Sequence, residues 1–186
     1  QLVVAPLSQS FASAADGLLA IAAGDGIGKK HHAPRQKSAS KRAKDALVHA
    51  RQALDDGELI VIYPEGTITA DPDTWPMTAR PGAARLALSS GCPVIPVGQW
   101  GANFVMPGKK PVWPRFRPRR TMVFRTGEPV DLSDLLGRED AEAAAMAGVR
   151  IMNAVTGLVA QIRGEEPPTD VYDIRVGRRV PRGAAR

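Results

Sequence analysis

With 186 residues, 44% of them hydrophobic, the chain is long enough for one globular domain with a real core. Cys92 is its only cysteine, which excludes an internal disulfide, and the formal charge of +6 favours anionic partners. Only 5% of residues are aromatic and neither a stacking platform nor a nucleic-acid reader motif is present, so no nucleic-acid partner is expected; no metal-ligand spacing occurs either.

Residues 1–37 are rich in Ala, Gly and Ser and show no regular pattern, so an irregular amino-terminal segment is expected. Its apolar run, Leu18 to Ala23, is far short of the roughly 20 residues of a membrane span. Gly24-Asp25-Gly26-Ile27-Gly28-Lys29 hints at a phosphate-binding loop, but that pattern needs Gly where Ala23 stands and Ser or Thr where Lys30 stands. A flexible linker is the better reading. Because the basic residues follow the apolar run, the segment does not read as a signal peptide.

From Ser40, Ala43, Leu47, Ala50 and Leu54 recur at helical spacing, and Gly57 is placed to end the helix. Leu59-Ile60-Val61-Ile62-Tyr63 then reads as a buried strand. Pro64 to Gly66 predicts a tight turn that leaves Glu65 and Thr67 at the strand's carboxyl end, where open α/β sheets bind ligands. Those two side chains either serve the loop backbone or meet a ligand. The loop Asp71-Pro72-Asp73-Thr74-Trp75-Pro76 forbids a helix; Pro81 opens one that closes at Gly91. Arg80, just ahead of that helix, is placed either for an anion or simply for solvent. Val94 to Val97 is the next strand, and strand, helix and strand at this spacing predict a right-handed crossover between two parallel strands.

Tyr63-Pro64-Glu65-Gly66-Thr67-Ile68-Thr69 resembles the third block of the glycerolipid acyltransferases, usually Phe-Pro-Glu-Gly-Thr-Arg-Ser. Val94 to Val97 is similar to their fourth block, and Arg80 to Ala87 to the Gly-led helix start between them. Within the family, the closest likeness is to bacterial 1-acylglycerol-3-phosphate acyltransferases, over residues 40 to about 165. The resemblance implies acyl transfer from acyl-CoA or acyl carrier protein to a lysophospholipid acceptor held near Glu65, Gly66, Thr67 and Arg80, with no cofactor beyond the acyl thioester donor. Two departures stand out. Ile68 replaces an arginine that in the family helps hold the acceptor phosphate. The family's His with an Asp five positions on is also missing: His31 is followed there by Gln36, His32 by Lys37 and His49 by Leu54. No catalytic residue is therefore named, and the chain reads as a partial or degenerate member, with slow or absent turnover expected. A non-catalytic remnant that binds phospholipid or acyl thioester is the alternative.

Trp100, Asn103 and Phe104 either line an apolar wall or pack as ordinary loop residues. Between Pro107 and Arg120, prolines alternate with Lys109, Lys110, Arg115, Arg117, Arg119 and Arg120 around Trp113 and Phe116, which suits either a solvated loop or an anionic membrane surface. Thr121 to Thr126 predicts a strand, Asp131 to Asp134 an approach to helix, and Ala141 to Arg163 a long packed helix. Val176 to Arg186 reads as a basic tail without fixed structure. The expected fold is α/β, a partly parallel sheet flanked by helices, glycerolipid acyltransferase-like and incomplete at the amino terminus. Its expected divisions are 1–37, a domain over 38–165 and a tail over 166–186. The expected location is cytoplasmic, on the inner face of the cell membrane.

Overall fold

The computed structural model describes residues 2–4, 35–105, 113, 115 and 117–183, with side chains described from Asp45 onward. His31, His32, the Leu18 to Ala23 run, the Gly24 to Lys29 stretch and Phe116 lie outside the described residues.

Strand β1 (Leu2–Val4) is followed by helix α1 (Arg35–Asp55), strand β2 (Ile60–Ile62), helix α2 (Pro81–Ser90), strand β3 (Val94–Trp100) and the short helix α3 (Ala102–Val105). Strand β4 (Val123–Thr126), a 3-10 turn at Ser133–Leu135, helix α4 (Ala141–Arg163) and strands β5 (Asp170–Asp173) and β6 (Arg178–Pro181) complete the order. Four strands form one sheet in the order β2-β1-β3-β4, and β5 and β6 form a separate hairpin. Every described ladder is antiparallel. β2 and β3 run in the same direction, as a crossover through α2 requires, but β1 lies between them and pairs with both. The expected parallel pairing is therefore absent among the described residues. Three residues of the segment expected to be irregular supply the intervening strand. Leu2-Val3-Val4 is too short to show a period, and its place is fixed by partners about sixty and ninety residues away.

Elements with a strong local pattern fall where the sequence places them. α2 starts on Pro81 and closes at Gly91, whose N–H bonds Ala87 O at 3.0 Å. Asp140 caps α4 through a bond from Ala143 N, and its carboxyl is held down at about 2 by Arg138 and by that amide. α4 alone among the described helices is long and apolar enough to cross a membrane. In this fold it packs on β3 and α2, burying Ala143, Ala147, Ile151, Val155 and Val159 at spacings of four residues. The contact with β3 is close: a Cβ on Gly98 would lie 2.7 Å from Leu158 Cβ and 3.0 Å from Leu158 C. Only glycine admits that approach.

The core lies where α1, α2 and α4 meet, with Leu54, Leu86, Leu135 and Ile151 almost fully enclosed and Ile60 and Ile62 packed against it. Val61 and Tyr63 point outward, so the strand expected to be buried has only one covered face, with the alternation that follows from it.

The carboxyl-terminal segment departs from expectation. Residues 170–181 form the β5–β6 hairpin, which the basic composition of Val176 to Arg186 concealed. Arg179 fixes it: its Nε donates to Asp71 Oδ2 at 2.8 Å and its Nη2 to Asp71 Oδ1 at 2.9 Å and Asp73 Oδ2 at 2.8 Å. Thr78 N also donates to Tyr172 O. Charge that looked like solvated tail is an anchor.

Candidate functional site

β2 ends at Ile62, and Gly66 N donates to Tyr63 O at 3.0 Å, closing the turn that the sequence predicts. Gly66 has φ +65°, a left-handed conformation that most side chains resist. The glycine has a second reason to be there. A Cβ on it would come within 2.8 Å of both Arg80 Cδ and Arg80 Nε, so Arg80 lies directly over the turn. Its backbone N–H donates to Pro64 O at 2.8 Å, and its Nε to Glu65 O at 3.4 Å. Glu65, Gly66 and Arg80 are thus brought together, with Thr67 exposed at the adjacent position.

Glu65 points into the loop: its Oε2 accepts from Met77 N at 3.2 Å. Burial raises its carboxyl above the ordinary range, and the Met77 amide opposes the rise. Of the two readings open for this side chain, service to loop backbone is the one with a visible bond; Thr67 is left facing solvent. Ile68 is exposed, so the position that carries arginine in the family offers no charge here. Arg80 is the cation nearest the turn among the described residues.

The loop from Thr69 to Met77 holds Glu65 in place, and most of its supports were illegible in the sequence. Thr69 Oγ1 donates to Trp75 O at 2.9 Å. Asp71 Oδ1 accepts from the amides of Asp73 and Trp75. Arg163, at the end of α4, lies 4.1 Å from the Trp75 ring centroid and 4.4 Å from that of Trp100, and its Nη1 donates to Asp73 O. Cation–π contact on two faces binds the loop to β3. Trp100 also meets Phe104 edge-on at 6.0 Å, so it serves packing rather than an open wall. The Asp-x-Asp spacing ahead of Trp75 was the one available signal, since aspartate commonly accepts amides two residues on. Nothing local pointed to Arg163 or Arg179.

His49, the only histidine described, is exposed on α1. A family model for acyltransferases matches residues 6–100, just over half of the chain. The chain belongs to the acyltransferase family. This acyltransferase match takes in the Glu65 turn, the start of α2 and β3, and begins within the amino-terminal segment that the sequence reading left outside the resemblance. No match was found among curated proteins or solved structures.

Proposed function

We propose that this acyltransferase-family chain acts on 1-acylglycerol 3-phosphate, taking the acyl group from acyl-CoA or acyl carrier protein in phospholipid synthesis on a glycerolipid acyltransferase-like α/β fold. The observation that carries the reading is the seating of the Arg80 guanidinium over Gly66 at the carboxyl end of β2. A cation fixed there can meet the phosphate that Ile68 cannot hold. In the reaction, the acceptor hydroxyl oxygen attacks the thioester carbonyl, its proton passes to a base, and the C–S bond breaks to release the thiol. Glu65 supports this geometry by holding the turn to Met77. No described residue is assigned as the base, and lack of a positioned base costs about two to four powers of ten in rate.

The exposed side chains of Trp113, Met122, Val123 and Phe124, near Arg115, Arg117, Arg119 and Arg120 in the chain, support peripheral attachment to an anionic, cytoplasmic membrane face. Trp113 is 92% exposed, a poor arrangement in water but a suitable one at a lipid interface.

The test is acyl transfer from labelled acyl-CoA to lysophosphatidic acid, run beside direct binding of that acceptor. Slow transfer that falls further in Glu65→Gln, with acceptor binding weakened about tenfold or more in Arg80→Gln, is the expected result. Acceptor binding that is indifferent to both substitutions would remove the site from this turn. Saturable, Arg80-dependent binding without transfer would favour a non-catalytic lipid-binding member, the reading supported by the lack of a His/Asp block in the sequence.

A further inference from the structure

A groove of about 200 Å³ runs between the start of α2, the middle of α4 and the β5–β6 hairpin. Ala144, Gly148 and Met152 line it from one face of α4, spaced four residues apart, with Val149 beside them and Val171 opposite on β5. The small residues leave room that a longer side chain would fill. Arg80, Arg85, Arg175 and Arg182 also line the groove, and among the described residues no carboxylate does.

These four cations are not equivalent. Arg175 is paired with Asp173 at 2.7 Å, while Arg80 and Arg85 stand exposed on the α2 side, where water screens them. Arg182 is partly buried and makes no ion pair among the described residues. Its position is nonetheless fixed: Nε and Nη2 donate to Pro168 O at 3.2 and 2.9 Å, and Nη1 to Asn153 Oδ1 at 3.1 Å. That leaves one N–H on each terminal nitrogen without a partner among the described residues. Burial draws this guanidinium below the ordinary arginine range, and the Asp170 charge only partly offsets the effect. A preorganised cation with no ion pair among the described residues, beside an apolar groove, is a costly arrangement that an anion would complete.

We infer that the groove binds a single-chain fatty carboxylate, its head group on Arg182 and its hydrocarbon along the Ala144, Gly148 and Met152 face of α4. A monoanion matches this desolvated charge, which Asp170 offsets only in part, and its two oxygens match the two remaining N–H groups. The chain replaces water on the part-exposed lining at Ala145, Gly148 and Val149, over a buried floor of Ala144 and Met152. This site touches the Glu65 turn only through Arg80 and does not depend on acyl transfer.

Binding of dodecanoate below its micelle concentration, measured by titration calorimetry on the full chain, tests the inference. Dodecyltrimethylammonium and dodecyl phosphate serve as comparison probes. One dodecanoate per chain is expected, with the ammonium probe at least about tenfold weaker. Arg182→Gln should weaken dodecanoate about tenfold or more. Because Arg182 also braces the hairpin, Gly148→Leu gives a second test: a Cβ there would meet Ala79 Cβ at an ordinary 3.8 Å, the helix interior favours leucine over glycine, and the longer side chain fills the groove. Gly148→Leu should retain its melting temperature and lose dodecanoate binding, while Glu65→Gln should bind it normally, separating this site from the acyl-transfer reading. Unchanged affinity in Gly148→Leu, equal binding of the cationic probe, or tighter binding of dodecyl phosphate than of dodecanoate would overturn the assignment.

Discussion

Arg179 is the residue on which the loop behind Glu65 depends, and replacing it with methionine should reveal this. Asp71, 5% exposed, accepts two bonds from the Arg179 guanidinium and two from the amides of Asp73 and Trp75. Arg179→Met keeps much of the side-chain bulk and removes the charge, so a nearly enclosed carboxylate is left with backbone donors alone. Removing one partner of a buried pair costs about 3–5 kcal/mol, and because the Arg179 side chain is 26% exposed the lower end applies, about 3 kcal/mol. For a chain of this size that corresponds to a fall in melting temperature of about 6–12 °C.

The pH dependence separates this account from a simple loss of packing. In the wild type, burial pushes the Asp71 carboxyl up, but Arg179 and the two amides outweigh it and the net shift is downward. Its stabilising contribution is therefore complete above the unfolded value of about 3.9 and is lost as the pH falls through the lower folded value. Without Arg179 the burial effect loses its main opponent, so protonation of Asp71 relieves the variant. Stability measured by urea denaturation between pH 7 and pH 4 should show the deficit of Arg179→Met shrinking with acidification. The double variant Asp71→Asn/Arg179→Met should be more stable at pH 7 than Arg179→Met alone. A deficit below about 1 kcal/mol, or one constant across that range, would refute the reasoning.

Gly98→Ala should destabilise by about 1–3 kcal/mol in the same assay, because the new methyl group meets α4 backbone that cannot turn aside; an unchanged midpoint would mean that β3 and α4 can separate freely. Burial raises the Glu65 carboxyl, so its stabilising contribution is full below the unfolded value of about 4.3 and is lost as the pH rises through the higher folded value. Wild type should accordingly lose stability relative to Glu65→Gln across that window, whereas a difference independent of pH would argue against a buried, ionising Glu65. Serine at Arg115, Arg117, Arg119 and Arg120 together should abolish sedimentation with vesicles containing anionic lipid, and undiminished sedimentation would sink the membrane-surface reading.

Pro81, Gly91 and the apolar repeat through Met152, Val155 and Val159 act within a turn or two of helix, so α2 and α4 could be read from sequence with their bounds nearly intact, although the buried face of α4 also takes in Ala143, Ala147 and Ile151. The Glu65 turn was legible for the same reason: Pro64 and Gly66 encode a local conformation, and Tyr63 to Gly66 closes on itself. Arg80 could be placed near the turn because α2 begins immediately after it, although its seating over Gly66 is a tertiary fact. What could not be read depends on partners far along the chain. β1 is three residues whose identity as a strand comes from β2 and β3, and the β5–β6 hairpin is a basic stretch whose charge acquires meaning only against Asp71. Val171 and Val180 flanking the glycine-containing loop at Gly177 are a hairpin signal that a reading of Val176 to Arg186 by basic composition passes over.

The same distinction bears on how the site is supported. Local sequence builds the turn, whereas its back wall is assembled by Arg163 and Arg179, residues about ninety and a hundred positions beyond the loop that they grip. The match to the acyltransferase family ends at residue 100, so both braces and the groove-facing Arg182 lie outside it. A segment read from its composition as a basic tail without fixed structure therefore closes the loop that holds Glu65. Removing residues from 166 onward should expose the Asp71 carboxylate and leave Arg163 as the one remaining brace of the two, which is a stronger consequence than loss of a solvated tail would have.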